Sequence, residues 1–264
     1  MFSSIGFIGT EHINGEVVCI VEKGVSADID ILLSGKKDQK AEKLCKAGRS
    51  QTATNVEIAK RCDLIFIEGN RQMVGDVFND ILPILSERKD RVTLAFMGSG
   101  LSIDTIQDMT NSSYPVIHVL PCTLPEIGKG LILYCARGIT EDEINAFHGI
   151  MEPAGLVDNI TEDLINTAGI ISEVIPVFCA VMIEALTDGG IVCGLSSEKV
   201  QKYTAQMVNV VSKSILEKKT HPSEIKDLVC SPSGRAIRIS CELERLKFRA
   251  IAMNAITTVF EMPN

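Results

Sequence analysis

Gly9 follows the apolar residues Ile5, Phe7 and Ile8 in the stretch SIGFIGTEHING, and it falls where a buried strand turns tightly into a helix. Such a turn approaches a dinucleotide pyrophosphate when a second glycine stands two positions on. That position holds Glu11, and the third small-residue position holds Asn14. A carboxylate beside a pyrophosphate repels it by roughly 1 kcal/mol even in exposed contact. Gly9, Thr10, Glu11 and His12 are therefore read as the residues that would meet a phosphate. Either a dinucleotide binds there in an unusual way or it no longer binds.

At the end of the next strand, Leu33-Ser34-Gly35-Lys36-Lys37 offers a hydroxyl and two ammonium groups. An acid is the usual partner of the free ribose diol of NAD at this place, so Ser34 and Lys36 fit the 2′-phosphate of NADP better, with an exposed lysine loop as the alternative. Two later segments look chosen for backbone shape. Residues 118–130, HVLPCTLPEIGKG, put prolines and glycines just beyond a strand, at the sheet edge where α/β proteins bind ligands. Residues 227–236, DLVCSPSGRA, put Ser231, Pro232, Ser233 and Gly234 between two helices, where hydroxyls and free N–H groups suit a carboxylate.

The elements that must position these residues fall into two parts. Over 1–157 strand and helix signals alternate. Strands are expected at Ser4–Ile8, Asp28–Leu33, Asp63–Ile67, Arg91–Met97, Pro115–Leu120 and Leu131–Cys135. Helices are expected at Glu11–Lys23 (closed by Gly24), Gln39–Lys46, Asn55–Arg61, Met73–Leu85 and Ile103–Met109, with another starting near Thr140, whose Glu143 three residues on completes a capping box. That alternation predicts an α/β Rossmann-type doubly wound sheet that would bind NAD(P). Over 158–264 only helical period remains: Ile165–Asp188, Ser197–Lys218, and Gly234–Glu261 with a break near Lys247. The first is apolar nearly all round and demands burial on every side, for which dimerisation is a ready means.

The balance of 26 basic against 34 acidic residues gives a net charge of −8, which argues against nucleic acid or an anionic membrane as partner. The cluster Lys36, Lys37, Lys40, Lys43 and Lys46 is interrupted by Asp38 and Glu42 and reads as a solvated helix face. No positively charged leader precedes an apolar stretch, and apolar segments such as Ile175–Leu186 fall short of a ~20-residue span, so a cytoplasmic protein is expected. Nine cysteines are scattered singly without a C-x-x-C pair and read as reduced and structural. His12, His118, His148 and His221 lack metal-ligand spacing; no metal is expected and no residue is assigned a catalytic role.

Taken together and in order, these motifs resemble the pyrroline-5-carboxylate reductase family over almost the whole chain. Gly6-Phe7-Ile8-Gly9 is similar to its opening strand, and Asn55 with Glu57 to its T-x-x-N-x-E segment. Asp63–Ile67 and Gln72 resemble its D-V-V-x-L-A-V-K-P-Q, with Asn70 and Arg71 replacing Lys and Pro. Pro121, Thr123, Gly128 and Gly130 fit M-P-N-T-P-x-x-V-G-x-G, from which Cys122 and Leu124 depart. Residues 184–195 resemble E-A-L-A-D-A-G-V-x-x-G-L, and His221-Pro222, 227–237, Leu243-Glu244 and Phe248-Arg249 match later motifs.

The resemblance implies hydride transfer from NADPH, or NADH, to the C=N carbon of 1-pyrroline-5-carboxylate or a related cyclic imino acid, giving proline. It also implies a homodimer or a larger ring. Asn55 is carried over to the cofactor, and Pro121, Thr123, Ser231, Ser233 and Gly234 to the substrate, with Arg235 as a bidentate alternative for its carboxylate. The departures gather at the chemistry. The family's S-G-S-G-P-A-Y turn reads Ser172 to Phe178 without its glycines, and Arg235 and Ala236 replace two threonines, the second of which the family uses near the ring nitrogen. Three readings remain open: a divergent imine reductase, a non-catalytic homologue that keeps the dimeric fold without cofactor, and an oxidoreductase whose pocket Glu173 and Arg235 have reshaped for another substrate.

Overall fold

The computed structural model describes residues 2–9, 14–34, 48–98, 100–111, 114–124 and 127–261. The helix expected at Gln39–Lys46 lies outside them. By internal contacts the chain divides into two compact units, Met1–Gly169 and Ile170–Asn264. The sequence reading puts the division at 157/158, ahead of the long helix; by contact it falls within that helix.

The first unit is an eight-stranded sheet in the order β3-β2-β1-β4-β5-β6-β7-β8. Its strands are β1 (Ser4–Ile8), β2 (Asp30–Ser34), β3 (Gln51–Ala53), β4 (Leu64–Glu68), β5 (Thr93–Met97), β6 (Val116–Leu124), β7 (Lys129–Arg137) and β8 (Gly155–Asn159). Every neighbouring pair is parallel except β6–β7. The described helices of this unit are α1 (Asn14–Gly24), α2 (Asn55–Arg61), α3 (Arg71–Leu85), α4 (Ile103–Met109) and α5 (Glu141–Met151), and α6 (Glu162–Val192) begins in it.

Side-chain alternation makes this a three-layer body. On one face Ile65, Ile67, Leu94 and Phe96 pack with α2, α3 and α4 through Ile58, Val74, Phe78, Ile81 and Ile106. On the other, Ile5, Phe7, Leu64, Phe66 and Ala95 pack with α1 and α5 through Val17, Val21, Phe147 and Ile150. A strand with both faces covered must be apolar throughout, which is why DLIFI shows no alternation. Thr54 and Thr140 cap α2 and α5, each with a reciprocal glutamate, Glu57 and Glu143.

Three elements depart from expectation. The strands β3 and β8 are too short and polar to stand out, and α8 (Pro222–Val229) is a short helix with His221 as its N-cap and Pro222 as its first residue. The stretch expected as a loop at the carboxyl edge is instead the end of a long antiparallel pair, with Pro121 opposite Ile132 and Thr123 opposite Gly130. Gly130 permits it: a Cβ there would stand 2.2 Å from Cys122 O.

The second unit is helical, comprising the remainder of α6 with α7 (Ser197–Lys218), α8, α9 (Arg235–Arg245) and α10 (Phe248–Glu261). The break near Lys247 is real, and Lys247 takes φ 57° there. Gly190 lets α6 and α7 meet, since a Cβ on it would lie 2.5 Å from Val200 Cγ1. Within α6 only Ile165, Gly169 and Thr187 are buried, while Val177, Val181 and Leu186 are exposed. At 31 residues, with a mean hydropathy of 2.0 in its most apolar window, α6 is long and apolar enough to cross a membrane, which the shorter segments seen in the sequence did not suggest.

Candidate functional site

In an open parallel sheet the ligand crevice forms beyond the carboxyl ends of the strands, where strand order reverses. Here that point lies between β1 and β4, and the backbone there is shaped by glycine. Gly9 leaves β1 with φ 94°, and a Cβ on it would be 2.7 Å from Glu68 O. Gly69 leaves β4 with φ 146°, and a Cβ on Gly98, which follows β5, would be 2.7 Å from Gly69 O. Three adjacent strands thus end backbone against backbone with no side chain between them. Gly9 was found from sequence; Gly69 and Gly98 were not, because a single glycine after an apolar run is an ordinary signal.

The end of β2 supplies a polar chain. Ser34 Oγ donates to Asn55 Oδ1 at 2.5 Å, and Asn55 Nδ2 donates to Asp80 Oδ2 at 3.4 Å. Ser34 closes β2, Asn55 is the first residue of α2, and Asp80 lies on α3, so three elements converge on the place where a dinucleotide's adenosine ribose is read in this architecture. Asp80 had no sequence signal; it is one acid among many on an amphipathic helix.

At the far side of the crevice Thr123 Oγ1 donates to Glu16 Oε2 at 2.8 Å, joining the end of β6 to the first turn of α1. Glu16 was another residue the sequence reading passed over. Pro121 lies two residues earlier in the same strand. His118, buried in β6, stacks on Phe96 with centroids 4.2 Å apart, and its Nε2 lies 3.1 Å from Gly98 O. With Nε2–H donating to that carbonyl, the buried Nδ1 has no partner among the described residues. Burial pushes the imidazole pKa below its ordinary value, against the opposing pull of Gly98 O and of Glu162.

Thiol chemistry is not favoured at the cysteines packed in the core. Burial, with a smaller push from nearby Asp63, raises Cys62 to about 12, and burial, with a smaller push from Glu162, raises Cys135 to about 11. Thiols so held stay protonated and inert. A concavity of about 540 Å³ lies between α3 and α4, lined by residues including Arg71, Gln72, Asp76, Asn79 and Met109. It involves none of the crevice glycines.

In the second unit, Gly234 is the N-cap of α9, and its N–H donates to Ser231 O at 3.0 Å. Ser233 takes φ 61° to make the turn. The structure thus brings Ser231, Ser233, Gly234 and Arg235 together at one helix start, with Arg235 and Ala236 in its first turn. Thr10, Glu11, His12 and Lys36 lie outside the described residues.

The architecture defines an α/β dinucleotide-binding fold joined to a helical unit. Comparison with known proteins makes the class particular. Residues 162–262 match the family model for pyrroline-5-carboxylate reductase dimerisation. The pyrroline-5-carboxylate reductase of a Synechocystis species is 30% identical over 185 residues, covering 70% of this chain and 69% of that protein. Pyrroline-5-carboxylate reductase 2 of Bos taurus is 26% identical over 265 residues, covering 96% of this chain and 80% of that protein. Among solved structures, the enzyme of Coxiella burnetii aligns with a TM-score of 0.85 at 22% identity, covering 97% of this chain and 96% of the other. That of Plasmodium falciparum, which has NADP bound, aligns at 0.75 with 23% identity, covering 97% and 95%. The chain belongs to the pyrroline-5-carboxylate reductase family.

Proposed function

We propose that this protein reduces the C=N bond of 1-pyrroline-5-carboxylate, or of a related cyclic imino acid, using a reduced nicotinamide cofactor. The observation that carries the reading is the glycine edge at the β1/β4 switch point. Gly9, Gly69 and Gly98 keep side chains out of the crevice, so a dinucleotide can approach the backbone there. Gly9 and the N-terminal end of α1 would hold its phosphates, and Ser34 with Asn55 its adenosine ribose.

When bound, the cofactor supplies a hydride to the imine carbon. The chain's own task is placement. Ser231 and the backbone N–H groups at the start of α9 suit a carboxylate, and Arg235 adds a guanidinium able to grip it with two hydrogen bonds. Proton delivery to nitrogen falls to water, because Ala236 carries no hydroxyl.

The test is oxidation of NADPH and of NADH by the purified protein with the cyclic imine, read as loss of cofactor absorbance. Turnover that needs both substrates supports the reading; saturable cofactor binding without turnover on any cyclic imino acid overturns it. A second reading, a homologue that has lost its cofactor, is favoured by Glu16, whose carboxylate sits in the first turn of the phosphate helix. It predicts no saturable binding of either cofactor.

The exposed apolar surface of α6 and the match to a dimerisation domain support a homodimer, with a larger ring as a further assembly. In that arrangement α6 faces a second copy of the chain instead of lipid. All eight described cysteines are free, which agrees with a reducing cytoplasmic setting.

A further inference from the structure

The β5–β6 register ends at Met97 opposite Val119, and Gly98 follows one residue beyond it. His118 stands opposite Phe96 in that register, stacks on its ring, and reaches past it, with Nε2 3.1 Å from Gly98 O. A carbonyl oxygen can only accept, so Nε2 carries the proton and donates. From Gly98 the strand ends follow one another without slack. The backbone N–H of Gly69 donates to Met97 O at 3.4 Å. Gly69 O fills the space that a Cβ on Gly98 would need, and Glu68 O fills the space that a Cβ on Gly9 would need. One imidazole in β6 therefore ties down the outer end of an edge that runs through β5 and β4 to β1. The tie has a cost, because Nδ1 of the same ring is buried with no partner among the described residues. A ring kept only for its bulk would do better as phenylalanine, which stacks equally well and buries no lone nitrogen.

We propose that His118 is a positioning residue for cofactor binding: its N–H holds Gly98 O, and with it the glycine edge, in the shape that a dinucleotide meets. The inference rests on the nicotinamide reading above. Gly98 has no side chain by which it could be held, so its carbonyl is the handle. Without the bond this residue regains the conformational freedom of glycine, and an incoming cofactor must order it on binding. The effect is blind to the 2′-position of the adenosine ribose. NADPH and NADH differ only there, and the end of β2 that reads it lies on the other side of β1 from β4 and β5.

The experiment is to measure the dissociation constants of NADPH and NADH for the parent protein, His118→Phe, His118→Leu and His118→Gln, with thermal melts to establish that each variant is folded. His118→Phe keeps a ring against Phe96 and His118→Leu does not, but neither can donate to Gly98 O. A loss that they share therefore belongs to the missing N–H. Both should bind both cofactors about three- to tenfold more weakly, the range of one hydrogen bond. His118→Gln returns an amide N–H to the carbonyl and should bind within about twofold of the parent. If one donor-free variant does not fold, the other carries the comparison with His118→Gln. Failure of both to fold makes the bond a requirement of the fold itself and overturns the inference. So do donor-free variants that bind within about twofold of the parent, and so does His118→Gln binding as weakly as they do, which assigns the loss to the shape of the ring. A loss confined to one cofactor also overturns it, because the glycine edge does not meet the 2′-position. Absence of saturable binding of both cofactors to the parent overturns the nicotinamide reading, and this inference with it.

Discussion

Thr123 Oγ1 and Glu16 Oε2 lie 2.8 Å apart, so the carboxylate in the first turn of α1 is anchored across the crevice by the end of β6. A negative charge at a helix N-terminus competes with an incoming phosphate for the same N–H groups and the same dipole. Glu16→Gln keeps the hydrogen bond from Thr123 and removes the charge. Affinity for either nicotinamide cofactor should rise about two- to fivefold, corresponding to roughly 0.3–1 kcal/mol. Cofactor fluorescence reads this cleanly because the chain has no tryptophan. Unchanged or weaker binding would mean that Glu16 does not face the phosphates.

Gly9 and Gly100 both take positive φ, 94° and 82°, but only Gly9 has backbone where a Cβ would go. Gly100→Ala meets open space and should cost about 1 kcal/mol from strain alone. Gly9→Ala must also push Glu68 O away, and roughly 2–4 kcal/mol is expected, with loss of cofactor binding. Thermal melts of the two variants separate the terms; equal losses would show that the close approach to Glu68 carries no energy.

Glu143 caps α5 from within. Burial alone would raise its pKa, but hydrogen bonds from Arg91 and from the backbone and hydroxyl of Thr140 outweigh that and hold it at about 2. The folded pKa lies below the unfolded one, so the stabilisation is complete above about pH 4.5 and fades as pH falls toward 2. Arg91 is half exposed, and solvent screening reduces the worth of the pair to roughly 1–2 kcal/mol. Denaturant melts of Glu143→Gln against the parent should differ by that amount at pH 7 and converge near pH 2. A gap that persists at pH 2 would assign the loss to packing.

His118 behaves in the opposite region of pH. Because burial lowers its folded pKa, protonation favours the unfolded chain, and stability falls as pH drops below the ordinary histidine value of about 6.5. Imidazole NMR titration should place the His118 ring below the ordinary histidine value of about 6.5. A His118 resonance that titrates at or above 6.5 would contradict its burial against Phe96 and Gly98.

Val181 projects from α6 and is 59% exposed in the single chain. If that surface meets a second copy, Val181→Glu should convert a dimer to a monomer at micromolar concentration, seen by sedimentation, while helix content is retained. A parent protein that already sediments as a soluble monomer would overturn the homodimer.

Much of this fold is written in apolar pattern. The DLIFI run could be read as a doubly covered strand because β4 is covered on both faces, and Thr140 announced α5 through its capping box, whereas the Thr54–Glu57 box of α2 emerged only from the structure. The antiparallel turn of β6 into β7 was not legible, because Pro121 and the glycines at 128 and 130 read equally as a loop; only the close approach of Gly130 to Cys122 O explains why glycine stands there. At the candidate site, Gly9, Ser34 and Asn55 were visible because a motif spaces them. Glu16, Asp80, Gly69 and Gly98 were hidden because each acts through a partner far away in sequence: Thr123 for Glu16, Asn55 for Asp80, and Gly69 O for Gly98. Spacing along a chain records neighbours on one element, and these contacts join different ones.

The long helix α6 also has a history within each molecule's synthesis. Its apolar length emerges from the ribosome before the last of the helices that follow it, α7 to α10, have emerged. At roughly 5–20 residues per second, that exposes a greasy 31-residue segment for several seconds, with no second chain yet in reach. A nascent helix of this kind is the sort of segment that chaperones and the membrane-insertion machinery both recognise. The first unit, Met1–Gly169, has by then emerged with its own sheet core and can fold ahead of it. If the homodimer forms, pairing of two such chains while still on neighbouring ribosomes would shorten the exposure, so the rate of assembly would matter as well as the strength of the finished contact.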